Sequence, residues 1–177
     1  MKRSQVLLLA VAAIGLVSDG VRIQDSASLV SSGPSALSAE AIGGIVGSAN
    51  PTLSATQRQR IGRAVLRSSR DYALDPQLVT AIILVESGAR PWALSPKGAV
   101  GLMQVMPHMI EALILGGNLT TIESNVEAGC WILADNIRRL GEDDGISAYF
   151  WGSDIRGVAY RDRVRAARAT VRRLVES

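Results

Sequence analysis

From Pro51 onward, apolar residues recur at spacings of three and four, the period of helices that bury one face. Glycine and proline clusters interrupt this pattern at intervals that suit short helices. We find no sustained alternation with a period of two, so strands are not expected. A glycine- and proline-bounded stretch near residues 92–100 allows a small irregular or hairpin element. The pattern predicts an all-α domain over residues 54–177.

Capping residues indicate where the helices begin and end. Ser54 and Gln57 form a capping box that predicts a helix to about Tyr72. Asp75 followed by Pro76 predicts a second helix, which we expect to stop at Gly88. Four further helices are expected: residues 107–115, a helix opened by a capping box at residues 124–127 and ended at residue 141, residues 146–151, and an arginine-rich helix from about residue 157.

The first 53 residues differ in composition from the rest of the chain. Lys2 and Arg3 precede twelve residues without a polar side chain, 6–17, which is the length of a signal-peptide core and too short for a span of about 20 residues. Residues 1–20 are therefore predicted to be a signal peptide or, if uncleaved, an N-terminal anchor. Between residues 26 and 50, 17 of 25 are Ser, Ala, Gly or Pro. We interpret residues 21–53 as a flexible linker.

Composition excludes several classes of protein. The chain has 177 residues and a net charge of +3, from 19 basic and 16 acidic side chains, which is too mild to indicate nucleic-acid binding. The single cysteine, Cys130, excludes a disulfide scaffold, and we expect it to be a small buried apolar residue. The single histidine, His108, is expected at the surface. The sequence predicts neither a metal site nor a cofactor.

Glu86 breaks an otherwise apolar helix face. With Val79, Ile82 and Ile83 it occupies positions i, i+3, i+4 and i+7 of the predicted helix. A carboxyl against apolar surface is desolvated, which raises its pKa and lets it serve as a proton donor. The alternative is that Glu86 turns out to solvent at the helix end.

The residues that follow Glu86 belong to a longer sequence motif. The run from 86 to 107 reads ESGARPWALSPKGAVGLMQVMP and resembles the signature of the soluble lytic transglycosylases, which belong to the lysozyme superfamily. Thirteen of the fourteen positions specified by that signature match. The exception is Ala89, where the family has an aromatic residue; Trp92 is a ring nearby in the sequence.

A weaker resemblance continues toward the C-terminus and covers about residues 55–165. Residues 125–129 resemble a family helix start, N-[IV]-x-A-G. Residues 148–152 stand where the family has A-Y-N-A-G, with Phe150 in place of the asparagine. Tyr160 lies near the position of a late family tyrosine.

The resemblance implies a lysozyme-like catalytic domain of the goose type that cleaves the MurNAc–GlcNAc β-1,4 bond of peptidoglycan and leaves a 1,6-anhydro end. Glu86 would be both acid and base, with no second carboxylate. The resemblance assigns the substrate side to Ser95, Met103, Gln104, Tyr149 and Tyr160, with Tyr149 orienting the carboxyl. The alternatives are a turn role for Ser95, core packing for Met103 and Tyr149, and a structural amide for Gln104.

The same resemblance implies an exported, monomeric enzyme of the periplasm or cell envelope whose partner is the glycan strand. Small domains of this type also open the wall for secretion systems, pili or flagella. Membrane contact is expected only if residues 1–20 stay attached. Two other functions remain open: a muramidase that uses water and a second carboxylate, and a wall-binding module without catalysis.

Overall fold

The computed structural model describes residues 37–111 and 118–177, with the side chains of residues 110 and 111 excepted. Within them the chain is helical: α1 Ala39–Ala49, α2 Ala55–Asp71, α3 Pro76–Ser87, α4 Pro107–Glu111, α5 Ile122–Leu140, α6 Glu142–Trp151 and α7 Ala159–Glu176. The only β-type pairings among these residues are two isolated bridges, Leu94 to Val100 and Val100 to Val105. The predicted all-α class and the irregular element after residue 92 are confirmed.

Local capping explains why α2 and α3 begin where the sequence predicts. The Ser54 hydroxyl accepts a hydrogen bond from the Gln57 amide at 3.2 Å, and the Gln57 side chain accepts one from the Ser54 amide at 2.8 Å. The Asp75 carboxylate accepts from the Gln77 amide at 2.9 Å. Gly88, with φ of 59°, ends α3 in the left-handed conformation that glycine adopts freely.

Two helix starts differ from the sequence-based expectation, and one helix end is not tested. Helix α5 starts two residues before Ser124, because the Thr121 hydroxyl caps it by accepting from the Ser124 amide. Helix α6 starts directly after Gly141 rather than near residue 146. The helix expected over 107–115 is described only as far as Glu111, and the rest lies outside the described residues.

The linker prediction is wrong for residues 39–49, which form α1. Ile42, Ile45 and Val46 are buried on one side of this helix. Gly43 of this helix serves close packing rather than flexibility, because a side chain there would come within 3.3 Å of the backbone carbonyl oxygen of Arg58. A side chain at Gly62 of α2 would likewise collide with the backbone carbonyl of Ala39. The small residues therefore let α1 and α2 approach closely.

Helix α3 lies at the centre of the core. Leu78, Val79, Ile82 and Ile83 are at most 1% exposed, and the helix packs against α1, α2 and α7. Because three helices surround α3, its last turn is held firmly where Glu86 projects. Among the residues described, no helix is long and apolar enough to cross a membrane. The signal-peptide or anchor prediction for residues 1–20 lies outside the described residues.

Candidate active site

Glu86 lies in the last turn of α3 and is half-buried, as its position on the apolar face predicts. The hydroxyl of Tyr160, at the start of α7, donates a hydrogen bond to Glu86 Oε1 at 2.5 Å. These residues are 74 positions apart in the chain. The packing of α3 against α7 brings them together.

Burial is the main influence on the Glu86 carboxyl and raises its pKa above the ordinary value. The hydrogen bond from Tyr160 and the positive charge of Arg163 act in the opposite direction and lower this pKa, but less strongly. The solvent-facing alternative for Glu86 is therefore not what the structure shows. A carboxyl in this setting retains its proton to higher pH than an exposed glutamate and can donate it.

Tyr160 is a neutral hydrogen-bond donor held in a stack of side chains. It is only 2% exposed, and burial followed by the charge of Glu86 raises the pKa of its hydroxyl well above the usual range. The Phe150 ring stacks on it with centroids 4.9 Å apart and planes 16° apart. The guanidinium carbon of Arg163 lies 5.6 Å from the Tyr160 ring centroid.

Tyr149 does not hold the carboxyl, contrary to the prediction. Its hydroxyl donates to the backbone carbonyl of Met103 at 2.9 Å. Burial raises the pKa of Tyr149 well above its usual range, and the negative charge of Glu86 adds to this effect. The tyrosine that is hydrogen-bonded to Glu86 is Tyr160, whereas Tyr149 is bonded to the neighbouring loop.

Ser95 and Gln104 both support the loop between α3 and α4. The Ser95 hydroxyl accepts from the Ala99 amide at 3.0 Å and closes a turn. The Gln104 side-chain amide donates to the carbonyls of Ala93, at 3.2 Å, and Gly101, at 3.0 Å. These contacts match the turn and structural-amide alternatives. Both side chains remain partly exposed, so contact with a substrate stays a prediction.

Met103 belongs to the core. Its side chain is fully buried and packs over Gly129, where an added Cβ would lie 2.6 Å from the Met103 sulfur. A side chain with no exposed surface cannot line a groove, so the predicted substrate role of Met103 is corrected to core packing. Its backbone carbonyl, which receives the Tyr149 hydroxyl, is its contribution to the site.

Two buried polar residues that sequence reasoning missed fasten the same loop. The Ser87 hydroxyl donates to the Leu102 carbonyl at 2.8 Å. The Asn125 side chain accepts from the Met103 amide at 2.9 Å and donates to the carbonyls of Val100, at 2.8 Å, and Leu119, at 3.1 Å. A fully buried asparagine needs hydrogen-bond partners for both the oxygen and the nitrogen of its side-chain amide. This requirement was the signal that could have identified Asn125.

Ala89 departs from the family signature, which has an aromatic residue at this position. Ala89 is fully buried, and its carbonyl accepts from the Asn50 side chain at 3.0 Å. Trp92 is 66% exposed, so its ring does not occupy that buried position. The turn between α1 and α2, which contains Asn50, thus supports the chain directly after Glu86.

Other chemistry-bearing residues lie apart from the site. Cys130 is fully buried and His108 is exposed, as predicted. Over residues 37–111 and 118–177, no three His, Cys, Asp or Glu side chains cluster in a way that could hold a metal ion. Among the described residues, the groups that act most on the Glu86 carboxyl are the neutral hydroxyl of Tyr160 and the cation of Arg163.

Comparison with known proteins places this geometry in a family. Part of a transglycosylase from Enterobacteria phage PRD1 is 34% identical over 88 residues, which cover 49% of this chain and 33% of that protein. An endo-type membrane-bound lytic murein transglycosylase A from Klebsiella pneumoniae is 58% identical over 36 residues, 20% of this chain and 18% of that protein. The chain thus spans a third or less of these curated relatives.

A solved structure of an inactive mutant of the lytic transglycosylase Slt from Pseudomonas aeruginosa is also similar. It aligns with 64% of this chain and 22% of its own, at 21% identity and a TM-score of 0.45. The family described as the transglycosylase SLT domain matches residues 63–162, which are more than half of the chain and include Glu86, Tyr149 and Tyr160. The chain belongs to the transglycosylase SLT domain family.

Proposed function

We propose that the protein is a lytic transglycosylase that cleaves the MurNAc–GlcNAc bond of peptidoglycan and leaves 1,6-anhydro-MurNAc ends. The observation that supports it most is the state of Glu86: a half-buried carboxyl with a raised pKa, beside a neutral tyrosine hydroxyl. Family membership supports the same substrate. Ser95 and Gln104 remain the proposed neighbours of the bound glycan, whereas the predicted substrate contact of Tyr160 is corrected, because this side chain is only 2% exposed and its hydroxyl is bonded to Glu86.

A single carboxyl suffices for this reaction. Glu86 donates its proton to the glycosidic oxygen as the bond from that oxygen to C1 breaks. The resulting carboxylate then accepts the proton of the C6 hydroxyl while O6 forms a bond to C1. Glu86 regains its proton, and no water is consumed. Because the nucleophile belongs to the substrate, its approach carries little entropic cost.

The surroundings of Glu86 favour this mechanism over hydrolysis. Ordinary glycosidases use two carboxyl groups about 5–10 Å apart, which influence each other's pKa. Among the side chains that the structure describes, the groups that act most on the pKa of Glu86 are Tyr160 and Arg163, neither of them a carboxyl. The muramidase alternative would need a second acid in this position.

We further propose that the enzyme acts outside the cytoplasm, as a monomer on glycan strands, in general wall remodelling or in local opening of the wall for a secretion, pilus or flagellar apparatus. The charged N-terminus and apolar run of residues 1–20 support export.

The test compares Glu86→Gln with Glu176→Gln, the same exchange at an exposed carboxylate near the end of α7. Full-length proteins are incubated with purified sacculi, and release of soluble fragments is measured. Because an amide cannot donate a proton to the glycosidic oxygen, Glu86→Gln should reduce the rate by at least about 10³-fold. Glu176→Gln should retain the wild-type rate.

Both variants are also tested for binding to sacculi by cosedimentation, which should be unaffected. Substantial turnover by Glu86→Gln would contradict its assignment as the acid. Binding without turnover by the wild type would support the non-catalytic module instead.

A further inference from the structure

Phe150 is exposed at the edge of the candidate site. It is the penultimate residue of α6, and 51% of it is accessible to solvent. The resembling family has asparagine at this position, so the aromatic ring is a feature of this chain. Its contacts indicate what the ring does.

The stack of Phe150 on Tyr160 is nearly parallel, with planes 16° apart and centroids separated by 4.9 Å. A ring packed on one face of Tyr160 occupies the space into which the Tyr160 side chain would otherwise shift, so the stack limits displacement of the whole Tyr160 ring. Trp151 meets the edge of Phe150 at 5.0 Å with an interplanar angle of 89°, which supports Phe150 from another side.

The Tyr160 ring must keep its position for its hydroxyl to remain 2.5 Å from Glu86 Oε1. Rotation about the long axis of the ring leaves the hydroxyl oxygen in place, but a shift of the whole ring carries the oxygen with it and lengthens this short hydrogen bond. The carboxyl would then lose the contact that fixes it relative to the scissile bond. Catalysis by a positioned acid is sensitive to displacements of this size.

We propose that Phe150 is a positioning residue: its ring, stacked on Tyr160, holds the Tyr160 hydroxyl against Glu86 and thereby fixes the proton donor. This inference rests on the function proposed above for Glu86. Phe150 acts through Tyr160 and does not itself contact the reacting atoms.

The electrostatics of the site give the proposal a second readout. The ionisable groups that interact with Glu86 are Tyr160 and Arg163 on α7 and Tyr149 on α6. The hydrogen bond from Tyr160 lowers the pKa of Glu86, against the effect of burial. Weakening that bond by loosening the stack should therefore raise the pKa of Glu86, in the same direction as removing the hydroxyl with Tyr160→Phe.

The experiment is a double-mutant cycle of Phe150→Leu and Tyr160→Phe in the full chain. Leucine keeps apolar bulk at position 150 but removes the stack. With sacculi as substrate, Phe150→Leu should lower kcat about three- to tenfold and leave KM within about twofold. In the Tyr160→Phe background the same exchange should change kcat by less than about twofold, because the hydroxyl it positions is absent.

A titration of the Glu86 carboxyl by difference infrared spectroscopy, assigned with Glu86→Gln, provides the readout that does not depend on turnover. Phe150→Leu should raise this pKa in the wild-type background and leave it unchanged in the Tyr160→Phe background. Phe150→Tyr, which keeps the stack, should have the kcat of the wild type and the wild-type pKa of Glu86. Leu174→Ala, at an exposed apolar side chain near the end of α7 that is not part of the stack, should leave both near wild-type values.

Equal losses from Phe150→Leu in both backgrounds would overturn the proposal. So would a rise in KM at unchanged kcat, which would make Phe150 a substrate contact. If the wild type released no fragments from sacculi, the proposed function would fail. The infrared titration would still decide whether Phe150 positions Glu86.

Discussion

Opposing influences act on the Glu86 carboxyl, and their balance decides its chemistry. Burial favours the protonated form, while the Tyr160 hydroxyl and the Arg163 charge favour the ionised form. Because burial is the largest effect, the folded protein holds the proton more tightly than the unfolded chain does. Ionisation of Glu86, the proposed proton donor, therefore destabilises the folded protein.

This linkage predicts a pH-dependent effect of Glu86→Gln on stability. A carboxyl whose pKa is raised by folding stabilises the folded protein fully at pH values below its pKa in the unfolded chain. This stabilisation is lost as the pH rises through its pKa in the folded protein. Glutamine does not titrate, but its carbonyl can still accept from Tyr160. The melting temperature of Glu86→Gln minus that of the wild type should therefore be larger at about pH 7 than at about pH 4. Calorimetry at both pH values tests this, and a difference that is constant or reversed would contradict it.

Apolar periodicity predicted the burial of Glu86 but not its partner. The spacing of Val79, Ile82 and Ile83 showed which face of α3 enters the core. A helical period specifies a face but does not identify the residue from a distant helix that packs against it. For this reason Tyr160 could not be distinguished from Tyr149 as the residue that holds the carboxyl until the packing of α6 and α7 was known.

At the level of elements, the starts of α2 and α3 were predictable, whereas the side-chain caps of α1 and α5, Ser38 and Thr121, were not. Ser54 and Asp75 act through neighbours two or three residues away, so the sequence contains the whole interaction. Helix α1 was missed because its glycines and alanines resemble a linker in composition. Small residues have two uses, chain flexibility and close helix contact, and composition does not separate them. The buried Ile42 and Val46 at a helical spacing were the available signal.

The close packing of α1 on α2 predicts opposite effects of alanine at two glycines. Gly62→Ala places a methyl group against the Ala39 carbonyl and should destabilise the protein by about 1–3 kcal/mol. Gly44 lies on the exposed side of α1 with no atom near its would-be Cβ. Gly44→Ala should stabilise the protein by about 0.5–1 kcal/mol through helix propensity. Urea unfolding measures both changes.

The two variants serve as each other's control, since both exchange a helical glycine for alanine. A similar stabilisation by both would mean that α1 does not pack tightly on α2. In that case, the linker interpretation of residues 39–49 would be restored.

At the level of the whole molecule, the site is assembled from distant parts of the chain. Helix α3 supplies Glu86, α7 supplies Tyr160, and the end of α6 supplies Phe150. Arg168 of α7 bridges the first residues of α3 and α6, with contacts of 2.5 Å to Asp75 and 2.8 Å to Glu142. This part-buried bridge joins the three helices at a distance from the carboxyl. The family signature contains Glu86 and the loop after it, but not these long-range contacts.

The central claim is that one carboxyl cleaves the glycan with the substrate's own hydroxyl as nucleophile. Mass spectrometry of the fragments that the full-length protein releases from sacculi tests it most directly. The account predicts 1,6-anhydro ends, each lighter by one water than the corresponding hydrolysis product. Fragments with ordinary reducing ends would contradict it and would require a second carboxyl or an activated water beside Glu86.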